Sequence, residues 1–201
     1  MNKMAGLIVM ATMAGTHGWA GEIEKAGPLR VVTICMERAS AFRLDRGFDI
    51  QLFPLAQAMA SKLFATAGVR VNWHGLRVCP ATAIFIRVST DPKNRQSPGA
   101  FAYALPYDSV HIMIFCDRVQ KAIEPDGVPY VMAYVLVHEV AHVLQGVVRH
   151  SNTGIMKAKW SWKDLDYIAC GQLVFTEEDA QLIHLGLASR SPQTAATLRA
   201  R

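Results

Sequence analysis

Apolar residues recur along the chain with two different periods, and each run of one period predicts an element. Leu29-Arg30-Val31-Val32-Thr33-Ile34-Cys35 is short and rich in β-branched residues, a first strand. From Ile50 to Ala67 the apolar positions fall at helical spacing, and Gly68 supplies a C-terminal stop. Val69-Arg70-Val71-Asn72-Trp73 alternates as a second strand. Ala83-Ile84-Phe85-Ile86-Arg87-Val88 is a third, and its nearly continuous apolar character suggests a central position. Composition predicts a loop from Asp91 to Gly99, then a fourth strand over residues 100–105 and a fifth over 110–115. Pro129 to Val137 is apolar on every side, the mark of a buried helix. After an irregular stretch, a last helix opens at Thr176-Glu177-Glu178-Asp179. Thr176 can cap it, and Asp179 takes the third position, where a glutamate is usual. The order of elements is that of an α+β chain, and no internal repeat, low-complexity tract or linker divides it.

The buried helix continues into the residues that carry chemistry, His138-Glu139-Val140-Ala141-His142. Side chains four apart share a helix face, so His138 and His142 can turn two imidazoles towards one metal ion. Glu139 lies one step round the same turn, where a carboxylate reaches a metal-activated water without binding the metal. Polar groups on a buried helix need partners, and one metal with its water supplies partners for all three.

A catalytic zinc site needs a third protein ligand and one open position. His150 is the best candidate. On a continuous helix it would lie about 12 Å along the axis from His142, too far to share an ion. The helix must therefore end, and Gly146 is where a left-handed cap fits, with Val147-Val148 reading as extended chain that turns back. Alternatives remain open on the residues alone. The helix could run on with a solvated His150. An acid downstream, Asp164, Glu177 or Glu178, could complete the site as in thermolysin-like enzymes. The chain could also be a non-catalytic binding module with a structural zinc, although such a site has no use for Glu139.

With its sequel, this stretch resembles the metzincin clan of zinc metallopeptidases, whose motif is HExxHxxGxxH followed by a turn containing methionine. The matching residues are His138, Glu139, His142, Gly146 and His150, then Ser151, with Ser151-Asn152-Thr153-Gly154-Ile155-Met156 standing for the methionine turn. Gly146 comes one residue later than in the family pattern and His150 two later, and Ala158 stands where some families carry a tyrosine. The whole is most similar to uncharacterised secreted bacterial proteins with this lengthened motif. The resemblance implies a Zn2+ cofactor held by His138, His142 and His150. It implies that Glu139 takes a proton from the zinc-bound water as it attacks a peptide carbonyl and then hands it to the leaving amine. Met156 would form an apolar floor. The implied fold is a metzincin-like twisted mixed sheet of about five strands, with a buried metal-binding helix and a C-terminal helix. Its fourth strand would be an edge on which a peptide or protein substrate adds a further strand. That points to residues 100–106, with Phe101 and Tyr103 on the rim and Pro106 ending it.

Composition sets the surroundings. Residues 1–20 carry Lys3, an apolar run from Met4 to about Ala14, and Gly18-Trp19-Ala20 with small residues at the cleavage positions, which predicts a secretory signal peptide cut after Ala20. No other stretch is expected to insert in a membrane. Residues 21–201 are then expected as one domain, secreted or periplasmic and monomeric, with length enough for a full core. The chain has 21 basic and 16 acidic residues, and the scattered excess suits a solvated surface, with no nucleic-acid motif. Cys35, Cys79, Cys116 and Cys170 in an oxidising compartment suggest two disulfides. Pairing Cys35 with Cys79 and Cys116 with Cys170 links neighbouring elements in the predicted layout. His74, His111 and His184 read as surface or core histidines rather than ligands. Trp160 and Trp162 could wall a pocket, though packing on the core is the simpler role for large aromatics.

Overall fold

In the computed structural model, which describes residues 30–37, 49–89, 99–104 and 111–190, the predicted strands and helices form in the predicted order. They are β1 (Arg30–Glu37), α1 (Asp49–Thr66), β2 (Val69–Gly75), β3 (Ile84–Ser89), β4 (Ala102–Ala104) and β5 (His111–Phe115). Five helices are described in all, and α1 is followed by α2 (Cys116–Ala122), α3 (Val128–Gln145), α4 (Trp162–Ala169) and α5 (Glu177–Ser189). The predicted leader over residues 1–20, the Asp91–Pro98 part of the predicted loop, and Pro106 lie outside the described residues.

The strands pair in the order β2-β1-β3-β5-β4, parallel throughout except for β4, which runs antiparallel to β5 at the edge. β3 is central, as its apolar run predicts. Ile84, Ile86 and Val88 are buried, whereas Phe85 is only half-buried and Arg87 is exposed. One face of the sheet therefore meets the helices and the other meets solvent, as alternation along a strand requires.

The covered face joins α1 and α3 in one core, where Phe64, Ile34, Met132 and Leu136 are fully buried. In α3 every residue but Tyr130 is buried, so its all-round apolar character follows from packing on several elements at once. By length and composition Pro125–Gln145 could cross a bilayer, contrary to the expectation that no segment beyond the leader would qualify. The core accounts for that hydrophobicity instead, because most of the segment is buried inside the fold.

Two helices escape a reading by periodicity. α2 starts directly from the end of β5, with no capping side chain to announce it. α4 occupies part of the stretch expected to be irregular, although Ser161 and Asp164 form the same reciprocal capping box as Thr176 and Asp179 at α5. The box at α4 is written in sequence as Ser161-Trp162-Lys163-Asp164, ahead of a helix of only eight residues.

Cys35 and Cys79 form a disulfide with a Cα–Cα separation of 6.0 Å, tying β1 to the segment after β2. The second expected pair does not form. Cys116 is buried at the start of α2 and Cys170 is exposed at the end of α4, so the two thiols sit in different environments rather than facing each other across adjacent elements.

Candidate metal centre

Helix α3 delivers two of the three histidines by its own geometry. His138 and His142 are one turn apart, buried, and their rings meet edge-on with centroids 4.7 Å apart. The helix stops at Gly146, which adopts φ 68° and ψ 19° and donates its N–H to the His142 carbonyl at 3.0 Å. A left-handed residue here lets the chain leave the helix axis, and glycine takes that conformation without the Cβ penalty. The exit brings His150 back over the last turn of α3, so the helix does not run on.

The three rings converge through their Nε2 atoms. His142 Nε2 lies 3.1 Å from His138 Nε2 and 3.2 Å from His150 Nε2. His138 Nδ1 donates to the Ile155 carbonyl at 2.9 Å, which leaves its Nε2 lone pair facing the other two. Trp160 donates to the same carbonyl at 3.3 Å and lies edge-on to the His138 ring, 5.8 Å between centroids. His142 Nδ1 is buried without a well-formed hydrogen bond, although the Val147 backbone nearby favours the charged ring.

These atoms fit a metal ion. Three imidazole nitrogens about 2.0–2.1 Å from one tetrahedral zinc stand about 3.3 Å from one another, close to the two separations observed. Burial lowers His138 to about 4, against a raising hydrogen bond to Ile155. Burial also lowers His142 to about 4, assisted by repulsion from His138 and His150, and it lowers His150. All three are thus neutral at physiological pH, the form that binds a metal. His138, Glu139 and His142 are at most 9% exposed, whereas His150 is exposed. The cluster is therefore reached from solvent on the His150 side, beside an open cleft of about 600 Å³.

Glu139 is buried and makes no hydrogen bond or ion pair among the described residues, and desolvation pushes its carboxyl up to about 8. Met156 is fully buried in the core. The turn before it closes through Ser151 N–H to the Met156 carbonyl at 2.8 Å. Gly154 makes the turn possible, with φ 74° and the Val174 carbonyl only 2.5 Å from where a Cβ would sit.

Three acids offered as alternative ligands are otherwise engaged or exposed. Asp164 caps α4 and pairs with Lys157, whose hydrogen bond is the main cause holding it at about 2. Glu178 pairs with Arg149, and Glu177 accepts from Gln181 at 3.3 Å. Among the described residues, the grouped metal-binding side chains are His138, His142 and His150 alone. His74 and His111 are exposed on β2 and β5, and the His184 ring lies over Gly68, as histidines without a metal role do.

Of the two rim residues, Phe101 packs against the core. Tyr103 lies on the open sheet face, pairing with Met113 and bordering a surface hollow with Phe85 and His111. Ala102 and Ala104 are the β4 side chains that join the covered side, and β4 itself contacts α3. β4 is the last strand of the sheet on that side, so its outer backbone edge has no strand partner among the described residues.

Periodicity could not reveal Asp179 and Arg149. Asp179 is fully buried. Burial raises its carboxyl, but hydrogen bonds from Ser151, Thr176 and Arg149 outweigh that and hold it below the ordinary value. Only the capping role was visible in sequence.

No protein-family model matches the sequence, and no curated protein matches it either. Among solved structures, the chain is similar to an archaemetzincin from Methanopyrus kandleri. The TM-score is 0.54 at 12% identity, over 81% of this chain and 97% of that one. It is also similar to a zinc-dependent peptidase from Methanocorpusculum labreanum, with a TM-score of 0.51 at 11% identity, over 76% of this chain and 99% of that one. At such identities the likeness speaks to fold. The sheet, the histidine-bearing helix and the C-terminal helices are therefore similar in fold to archaemetzincin, with three histidines grouped where they could hold a metal ion.

Proposed function

We propose that this chain is a secreted zinc-dependent endopeptidase, with His138, His142 and His150 as zinc ligands and Glu139 as general base. The observation that carries the reading is the convergence of three neutral imidazole nitrogens next to a buried carboxylate with no other partner among the described residues. A structural site would be closed and would leave Glu139 without use. The zinc-dependent peptidase named above supports peptides as the substrate class.

Bound there, zinc would supply Lewis acidity and lower the pKa of water towards neutrality. The chain's own residues do the rest. Glu139 accepts a proton from the attacking water and delivers it to the leaving amine nitrogen. Burial alone pushes that carboxyl up, and a bound cation beside it would oppose the shift and favour the ionised form that accepts the proton. The edge of β4 can hydrogen-bond an extended peptide as an added strand, and its contact with α3 would bring that peptide past the histidines. Met156 would close the site from below as a buried apolar floor. Secretion is supported by the signal-like residues 1–20 and by the Cys35–Cys79 disulfide, which suits an oxidising compartment.

The test is hydrolysis of an unfolded protein substrate by zinc-loaded wild type and Glu139→Gln. Activity is expected to fall by roughly 10²–10⁴ in the variant, the usual worth of a general base, with zinc content unchanged. Equal hydrolysis by the two proteins would defeat the reading.

A further inference from the structure

We propose that Asp179 is the positioning residue for His150. Through one carboxylate oxygen it replaces the helical constraint that holds His138 and His142. The inference rests on the zinc-centre reading given above and concerns how the third ligand is kept in place.

His150 belongs to no helix or strand, so backbone freedom that a helix would remove must be removed by tertiary contacts. Its two neighbours in sequence supply them. Arg149 Nη1 donates to Asp179 Oδ1 at 2.9 Å, and Ser151 Oγ donates to the same oxygen at 2.6 Å. Arg149 also reaches Ser151 Oγ at 3.3 Å and pairs with Glu178. Both residues flanking the third ligand are therefore tied to one atom, 28 and 30 residues away in the chain.

The other oxygen has a different task. Asp179 Oδ2 accepts from Thr176 N at 3.3 Å while Asp179 N donates to Thr176 Oγ1 at 3.1 Å, which is the capping box of α5, and Thr176 Oγ1 also donates to Oδ2 at 2.7 Å. A capping box needs only that oxygen. The two donors on Oδ1 contribute nothing to the cap, and both belong to the segment that bears His150.

The anchor is itself fixed to the metal helix. Gly186 of α5 sits so close to the end of α3 that an added Cβ would lie 1.8 Å from the Leu144 carbonyl. Gln145 Nε2 donates to the Asp179 carbonyl at 3.3 Å, and Arg190 donates to the Val143 carbonyl. Contacts thus run from the last turn of α3 into α5, through Asp179, and back to the residues on either side of His150. The third ligand is referenced to the same helix that carries the first two.

Because the two oxygens act separately, their roles can be tested separately. Zinc affinity is measured by competition with a chromophoric chelator, and site geometry by the visible spectrum of the cobalt-substituted protein. Thermal midpoints are recorded alongside. Arg149→Gln combined with Ser151→Ala empties Oδ1 and leaves the cap, and is expected to weaken zinc binding by about 10–100-fold and to alter the cobalt bands. Arg149→Lys, which keeps a cationic donor, is expected to recover much of the affinity lost in Arg149→Gln. Thr176→Ala removes the capping hydroxyl alone and is expected to lower the thermal midpoint with wild-type zinc affinity. Wild-type affinity and cobalt spectrum in the Arg149→Gln, Ser151→Ala protein would overturn the proposal. So would a loss that simply follows the thermal midpoint across all variants. Failure of the zinc-centre reading looks different: wild type would bind no zinc, or His150→Ala would bind it as tightly, and the inference would fall with it.

Discussion

The two halves of the candidate metal centre are held by different means. His138 and His142 stand one turn apart on α3, so their separation follows from helix geometry once that helix is buried. His150 lies eight residues beyond His142 on exposed, irregular chain, and its neighbours are tied to a residue far along the sequence. The first half is specified locally once α3 is packed in the core. The second depends on α5 being docked correctly. A lengthened ligand spacing is thus compatible with a closed triad when a tertiary clamp does the work of the missing helical register.

Substitutions that act on one half alone should separate the two. The largest effect is expected at Gly186, where alanine would place a Cβ 1.8 Å from the Leu144 carbonyl. Backbone cannot yield as a side-chain tip would, so Gly186→Ala should cost about 3 kcal/mol in urea unfolding. It should also weaken zinc binding, because it displaces the element that carries Asp179. Unchanged stability would mean that α5 is not seated against α3 as described.

The next effect concerns the metal-free protein and its pH dependence. His138 and His142 stay neutral in the fold down to about 4, whereas unfolded imidazoles take up protons below 6.5, so these residues lose stability as pH falls through that window. Glu139 stays protonated in the fold up to about 8 but ionises near 4.5 when unfolded, so its contribution is lost as pH rises from 4.5 to 8. Between 4.5 and 6.5 the two imidazoles outweigh the one carboxyl, and above 6.5 the carboxyl acts alone. Metal-free stability should therefore peak near pH 6.5 and fall by roughly 2 kcal/mol towards pH 8. Chemical denaturation in the presence of a chelator measures it, and a flat profile from pH 5 to 8 would contradict the burial of these groups in neutral form.

The smallest effect is expected at Gly146. A Cβ there meets no atom within 4 Å, and only the positive φ opposes a side chain. Gly146→Ala should cost about 1 kcal/mol and leave the His138 and His142 rings in place. A loss as large as that at Gly186 would mean that the helix exit, rather than the α5 clamp, governs His150.

What could be read from sequence follows the same division. Features set within one or two turns were legible: the histidine pair on α3, its stop at Gly146, and the cap at Thr176. The central place of β3 was legible too, because strand burial leaves its mark on composition, whereas the edge place of β4 was what the metzincin resemblance implied. Features set by distant partners were not. Asp179 looked like a capping residue alone, since nothing near it in sequence mentions Arg149 or Ser151. Cys116 and Cys170 were paired by an assumed layout, but α4, which was not foreseen, leaves Cys170 exposed while Cys116 is buried beside β5. Tyr103, expected on the substrate rim, lies by strand alternation on the open face of β4.

The zinc content of the purified chain, wild type beside His150→Ala, tests the central claim most directly. The account predicts about one zinc per chain in wild type and a sharp loss in the variant, since removing a ligand from a three-histidine site leaves too few donors to hold the ion. Zinc retained at the wild-type level in His150→Ala, or none bound by wild type under metal-replete conditions, would contradict it.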